Sequence, residues 1–332
     1  MKLIIPMAGR GTRVRPHSHV TPKPLLNVRG KSMVERIVDT FNEVLPRPLT
    51  SGVFILAPDF GDDIKAMLSR ICERHAMTAS FAVQDPPLGT AHAVSMAGDE
   101  LEGEGIVVFA DTLFYMDPGV NLDDADVVAW VKHVEDPRRF GVAVREGDRI
   151  VEFVEKPDTI ISNEALIGIY YVRDLARMSA GIQYLFDNNK AGKGGEYYLT
   201  DAFDWMLKQG DVFHTTGVTE WLDCGTIPAL QETTQFVLER ENAQSGGGTA
   251  ENSVVIPPVF LGPGAVIRNS VVGPHVSVEA GARVENSTVR RSILFGDSVV
   301  QNSAIDDSLV GQHAEVSGFA GSANVGDHST IG

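Results

Sequence analysis

The chain has 332 residues, of which 43% are hydrophobic and 22% charged, enough apolar material for a buried core and a length that suggests two domains. Its formal net charge of −16, with no Lys/Arg run, argues against nucleic acid or an anionic membrane as a partner, though a few basic groups could still hold a small anion. Cys72 and Cys224 fit no zinc or disulfide spacing, the apolar N-terminal run is too short for a signal peptide, and no stretch reaches the ~18 apolar residues of a membrane span, so a reducing, cytoplasmic setting is expected.

The first half alternates strand and helix patterns. Leu3 to Met7 is a short apolar strand ending in a glycine loop, and Met33 to Leu45 carries Val34, Ile37, Val38 and Phe41 at helical spacing. Gly52 to Ala57 and Ala79 to Val83 read as buried strands, with a helix between them marked by Ile64, Met67, Leu68 and Ile71. Thr90 to Ala97 is Ala-rich and helical, and Ile106 to Ala110 is a strand leading into Asp111. This alternation predicts an α/β fold with a doubly wound sheet that binds ligands at the carboxyl ends of its strands. Closer-spaced strands at 127–131, 141–145, 150–154 and 166–172 make the sheet mixed, and helices near 175–188, 200–209 and 227–241 complete a domain over 1–241.

Residues 242–252 have linker composition, with Gln-Ser-Gly-Gly-Gly-Thr-Ala at their centre. Beyond them apolar residues recur every six positions at Val254, Phe260, Val266, Val272, Val278 and Val284, then after slips at Ile293, Val299 and Ile305, at Val310 and Val316, and at Val325 and Ile331. Asn-Ser pairs fall between them. A period of six with small turn residues predicts a left-handed β-helix over 253–332.

Chemistry gathers first at Gly9-Arg10-Gly11-Thr12-Arg13, followed by Lys23 in Pro22-Lys23-Pro24. Glycines let backbone N–H groups approach phosphate oxygens, and two cations add fixed positive charge. The loop is neither a Walker A motif nor a dinucleotide fingerprint, because Val14 stands where the third glycine of the latter belongs.

This loop resembles the signature of the nucleotidylyltransferases that activate sugar phosphates, and four further segments resemble that family in its own order. They are Gln84-Asp85-Pro86-Pro87-Leu88-Gly89-Thr90-Ala91, Glu155-Lys156-Pro157, Gly194-Gly195-Glu196 through Thr200-Asp201, and Trp221-Leu222-Asp223-Cys224-Gly225-Thr226. The trailing hexapeptide region resembles the long form of the family's glucose-1-phosphate thymidylyltransferases.

The resemblance implies a Rossmann-like nucleotidyltransferase domain that joins a nucleoside triphosphate to a sugar-1-phosphate with Mg²⁺. Arg13 and Lys23 would grip the triphosphate, helped by Gly9, Gly11 and Thr12. Gln84, Gly89 and Thr90 would hold the nucleoside, resembling the family's pyrimidine readers and leaving dTTP and UTP both open. Lys156 would bind the sugar phosphate. Glu155, Asn163 and Glu196 would contact sugar hydroxyls, with Gly141 and Gly168 leaving room for the ring. Asp111 and Asp223 would hold the metal, a hard-oxygen role that suits Mg²⁺. Glucose-1-phosphate is the default sugar, and a homo-oligomer, dimer or tetramer, is expected.

Plainer alternatives exist for each residue. Asp111 or Asp223 could cap a turn, Lys156 could be a solvated surface lysine, Glu196 a helix N-terminal charge, and His92 simply a packed side chain. The family departs here at Ala110, where glycine usually precedes the first metal aspartate. Two rival functions are acyl transfer on the β-helix, which carries His275, His313 and His328, and a non-catalytic regulatory homologue. The latter predicts loss of Arg13, Lys23, Asp111 or Asp223, and all four are present.

Overall fold

The computed structural model describes residues 1–241 and 246–332, apart from the side chain of Lys193. The described chain divides into two compact units: Met1–Gly9 with Ile37–Trp221, and Arg10–Arg36 with Leu222–Gly332. The division cuts across the boundary expected at residue 241, because the glycine loop clusters with the C-terminal unit.

The first unit is built on a nine-stranded mixed sheet. Its strands are β1 (Lys2–Pro6), β2 (Ser51–Leu56), β3 (Thr78–Val83), β4 (Gly105–Val108), β5 (Val127–His133), β6 (Gly141–Glu146), β7 (Arg149–Glu155), β8 (Glu164–Val172) and β9 (Phe213–Gly217), in the order β3-β2-β1-β4-β8-β5-β9-β7-β6. The first four are parallel, and β8 turns the sheet by pairing antiparallel with β4 and β5. Parallel strands covered on both faces need apolar residues at every position, and Leu3, Ile4 and Ile5 of β1 are all fully buried. Ile4, Val53 and Val107 share one core with Val94, Met178 and Phe203 of the helices Thr90–Ser95, Leu175–Asp187 and Leu199–Lys208. Alternate residues Leu3, Phe54 and Ile106 face the other way.

In the second unit, three parallel sheets of six, five and five short strands stack into the β-helix. The first rung is already the strand Thr249–Glu251, paired with Val266–Arg268, so strand structure begins inside the stretch expected to be linker; residues 242–245 of that stretch lie outside the described residues. Successive coils shorten. Val266 pairs with Arg283 seventeen residues on, Val299 with Glu315 sixteen on, and Glu315 with Thr330 fifteen on.

A seventeen-residue coil cannot hold three six-residue sides, which corrects the expected phase. The inward ladder runs Leu261, Ile267, Val272, Val278, Val284, Val289, Leu294, Val300, Ile305, Val310, Val316. Val254 is 57% exposed and Val266 half-buried, and Leu294 and Val300 line the inside of the coil where Ile293 and Val299 were expected, although Ile293 is itself buried. The Asn-Ser pairs turn the corners. Asn269, Asn286 and Asn302 adopt left-handed backbone, which asparagine tolerates. The next serine in each pair accepts an N–H from the coil above, Ser287 N to Ser270 Oγ and Ser303 N to Ser287 Oγ, both at 3.0 Å. Backbone donors that the shape of the corner would leave unpaired are satisfied in this way.

Candidate functional site

In the second unit the glycine loop is pinned by its own geometry. Gly11 has left-handed backbone (φ 58°), and a Cβ there would lie 2.8 Å from Lys23 Cβ, so only glycine lets the Lys23 stem pass. Ser18 Oγ donates to the Gly11 carbonyl at 2.7 Å. Lys23 is only 7% exposed, whereas Thr12 and Arg13 are exposed. By contrast a Cβ on Gly9, which ends the first stretch of the first unit, would meet no atom of the described residues within 4 Å.

The same unit brings Arg13 to Asp223, 210 residues apart in the chain. A Cβ on Gly225 would lie 2.8 Å from Asp223 Oδ1 and 3.3 Å from Arg13 Nη2, so a guanidinium and a carboxylate flank one bare backbone position. Asp223 is exposed, and its Oδ1 accepts the Gly225 N–H at 2.7 Å. The Thr233 hydroxyl donates to the Asp223 carbonyl at 2.7 Å, and Thr226 caps the helix Ile227–Arg240 by accepting from Ala229 N. The Trp-Leu-Asp-Cys-Gly-Thr segment is thus a strand-to-helix turn whose backbone is held while its carboxylate stays in solvent.

The first unit carries the remaining residues in two groups. Gln84 follows β3 and is 6% exposed; its amide nitrogen lies 3.0 Å from the Gly89 carbonyl and 3.2 Å from His92 Nδ1. Gly89 has φ 108°, and a Cβ there would fall 2.5 Å from the Tyr197 carbonyl oxygen. Leu88 O accepts from Tyr197 N, Ala91 N donates to Tyr197 O, and Leu199 N donates to Thr90 Oγ1. The Gln84–Ala91 segment and the segment following Glu196, over a hundred residues apart, are therefore stitched together by backbone hydrogen bonds.

The second group surrounds the end of β7. A Cβ on Gly141 would lie 2.8 Å from Glu155 Oε2, so the glycine makes room for that carboxylate. Lys156 Nζ is 3.3 Å from Glu155 Oε1 and 5.5 Å from the centre of the Tyr198 ring. Its backbone is left-handed (φ 44°), a conformation that costs free energy in a residue with a side chain. Asp111 lies three residues beyond the carboxyl end of β4 and is half-buried. Glu196 is exposed on the same segment as Tyr198.

Two expected sugar contacts have local structural partners. Both Asn163 amide contacts go to backbone carbonyls, Val134 O at 2.8 Å and Glu135 O at 3.3 Å, closing the end of the β5–β8 ladder. Gly168 (φ 79°) occupies the β8 bulge, where a Cβ would lie 2.7 Å from the Phe109 ring. Tyr170 packs in the core on Phe203, and the Tyr171 hydroxyl donates to Glu104. Sequence reasoning missed the part played by Gly225, whose need for glycine shows only once Arg13 and Asp223 are seen beside it. It also missed the hydrogen bond of His92, which reads as mere packing inside an Ala-rich helix.

Among the described residues no group of three or more His, Cys, Asp or Glu could hold a metal ion. Nor is any helix there long and apolar enough to cross a membrane. On the β-helix, His275 Nε2 lies 2.7 Å from Glu239, and the rings of His313 and His328 stack on each other.

A mixed α/β sheet whose first strand runs into a glycine loop is a Rossmann-like architecture. The nucleotidyl transferase family model matches residues 2–240, and the chain belongs to that family of sugar-1-phosphate nucleotidyltransferases. It is 31% identical over 329 residues to a glucose-1-phosphate thymidylyltransferase of Streptomyces griseus, covering 96% of this chain and 89% of that one. It is 28% identical over 269 residues to the bifunctional protein GlmU of Methanocaldococcus jannaschii, covering 80% of this chain but only 61% of that longer protein. A Bacillus anthracis structure in complex with sucrose, whose assignment as a glucose-1-phosphate thymidylyltransferase is itself provisional, superposes with a TM-score of 0.59 at 27% identity, over 71% of this chain and 94% of that one.

Proposed function

We propose that this protein transfers a nucleotidyl group from a pyrimidine nucleoside triphosphate, dTTP or UTP, to a sugar-1-phosphate, with glucose-1-phosphate as the first candidate, and releases pyrophosphate. The observation that carries this reading is the meeting of Arg13 and Asp223 at the bare backbone of Gly225. A cation and an exposed carboxylate, side by side on a glycine turn, suit a phosphate chain that arrives with a divalent ion. The glucose-1-phosphate thymidylyltransferase among the relatives supports dTTP and glucose-1-phosphate in particular.

In the proposed reaction an oxygen of the sugar phosphate attacks the α-phosphorus. The new O–Pα bond forms as the bond to the β-phosphate oxygen breaks, and the electron pair leaves with pyrophosphate. The nucleophile is already anionic, so no general base is required, and catalysis rests on positioning and on offsetting negative charge. Arg13 and Lys23 would take the triphosphate, and Lys156 the sugar phosphate. Glu155, held against Gly141, would accept from sugar hydroxyls with Glu196 and with the Oδ1 of Asn163. Gly9, Gly11 and Thr12 would line the phosphates, Gln84, Gly89 and Thr90 the nucleoside, and Gly168 would leave room beside the ring.

The carboxylates of Asp111 and Asp223 are the proposed Mg²⁺ ligands. Both are hard oxygen donors of the kind Mg²⁺ prefers, and substrate phosphate and water would complete its shell. Bound there, the ion would neutralise phosphate charge. The proposed domains are a catalytic region over 1–241 and a β-helix that, with its first rung at Thr249–Glu251, runs to residue 332, the latter structural or oligomeric.

The test is pyrophosphate release from glucose-1-phosphate and Mg²⁺ with dTTP, UTP, CTP, GTP and ATP in parallel. Turnover with dTTP or UTP well above the other three is expected. Silence from folded protein across a panel of sugar-1-phosphates would overturn the reading.

A further inference from the structure

We infer that His92 is a specificity-determining positioning residue, which fixes the Gln84 amide so that only its carbonyl oxygen is offered to the nucleobase. This rests on the proposal that Gln84 reads the base.

The argument is a count of donors and acceptors. The Gly89 carbonyl can only accept, so the atom 3.0 Å from it must be the Gln84 amide nitrogen. That nitrogen carries two hydrogens, and its second neighbour is His92 Nδ1 at 3.2 Å. A donor there requires Nδ1 to hold a lone pair, which places the ring proton on Nε2. Burial of the imidazole pushes its pKa down and favours this neutral form. Phe186 meets the ring edge-on from the helix Leu175–Asp187, with centroids 6.1 Å apart. Both amide hydrogens are then used inside the protein. Among the described residues no donor is seen to meet Oε1, so the free half of the amide is an acceptor.

An acceptor fixed in place suits a base that presents a donor. Uracil and thymine present N3–H, whereas cytosine presents an N3 lone pair at the same position. A glutamine free to rotate its amide could serve either base by exchanging its ends. One held by Gly89 and His92 cannot do so without stranding a buried amide hydrogen or turning two acceptors toward each other. On this account His92, which need not touch the nucleotide, makes Gln84 choose among pyrimidines.

The test uses the full-length protein with Mg²⁺ and no sugar, and measures the Kd ratio of CTP to UTP by calorimetry, with thermal melting to confirm folding. Two variants at position 92 separate hydrogen bonding from packing. His92→Leu fills space without an acceptor, and His92→Asn places an amide oxygen where Nδ1 stood. His92→Leu is expected to shrink the CTP/UTP ratio about tenfold, the size of one hydrogen-bond preference, and His92→Asn to restore it. Equal loss in both variants, or no change in His92→Leu, would overturn the role of His92. Gln84→Ala is the control for the underlying reading. If it also leaves the ratio unchanged, Gln84 does not read the base and both ideas fall; if it alone changes the ratio, only the role of His92 falls. No measurable binding of either nucleotide to the folded parent protein would remove both.

Discussion

The backbone N–H of Gly30 donates to Glu279 Oε1 at 3.1 Å, tying the turn just after the Lys23 loop to the β-helix. The same carboxylate accepts from Ser277 Oγ at 2.7 Å and from Asn27 Nδ2 at 3.2 Å, and only 1% of Glu279 is exposed. Nearby, Glu241 binds both Arg29 and Arg36, and the Phe260 ring lies where a Gly30 Cβ would be. The β-helix thus helps hold the segment that follows Lys23.

Removing the Glu279 carboxylate should strand three donors. Glu279→Ala is expected to cost about 3 kcal/mol in urea unfolding, and Glu279→Gln, which keeps most of the acceptors, about 1 kcal/mol. Desolvation raises the pKa of this carboxyl above its ordinary value. A raised carboxylate binds its proton more tightly folded than unfolded, so its contribution falls as pH rises from the ordinary carboxylate range through the folded pKa. Glu279→Gln should flatten that part of the stability profile; an unchanged profile would count against it.

His17 gives the opposite slope. It is fully buried against Phe295, and neither ring nitrogen has a hydrogen-bond partner of good geometry among the described residues. Desolvation outweighs the Asp327 charge and the Asn324 side chain, which push the other way, and lowers its pKa from 6.5 to about 4. The unfolded chain therefore takes up this proton first, and stability should fall as pH drops from 6.5 towards 4. The full effect is on the order of 3 kcal/mol. In His17→Leu that loss should be absent from the pH-dependent melting curve.

Gly225→Ala should act on chemistry more than on folding. The new methyl would press on Asp223 Oδ1 and approach Arg13 Nη2. An expected fall of roughly 100-fold in kcat/KM, with a melting temperature within a few degrees of the parent, matches the cost of displacing reacting groups by about 1 Å. Equal turnover in the variant would show that this point is not part of the reaction site.

Lys156→Ala should raise KM for the sugar-1-phosphate at least about tenfold while nucleotide affinity stays unchanged, since a charge-assisted contact to phosphate contributes around 1.5–3 kcal/mol. Steady-state kinetics with each substrate varied in turn would show it. A rise in nucleotide KM instead would move Lys156 to the other substrate.

Sequence by itself determined the parallel strands, the glycine loop and the repeat, because apolar period and glycine placement are local properties that need no partner. It pointed to Arg13, Lys23, Gln84, Glu155, Lys156 and Asp223 through motifs whose spacing is written along the chain. The β-helix phase was legible only in part, since coils of seventeen, sixteen and fifteen residues break a strict period of six. What only the tertiary structure decided are relations across long stretches of chain. Asp223 meets Arg13 at Gly225, Glu279 serves a turn 249 residues earlier, and Leu88–Ala91 is laced to Tyr197. His92 shows the same division at short range. Its place in a helix follows from its neighbours, but its hydrogen bond to Gln84 exists only because the strand end and the helix converge on the Gly89 carbonyl.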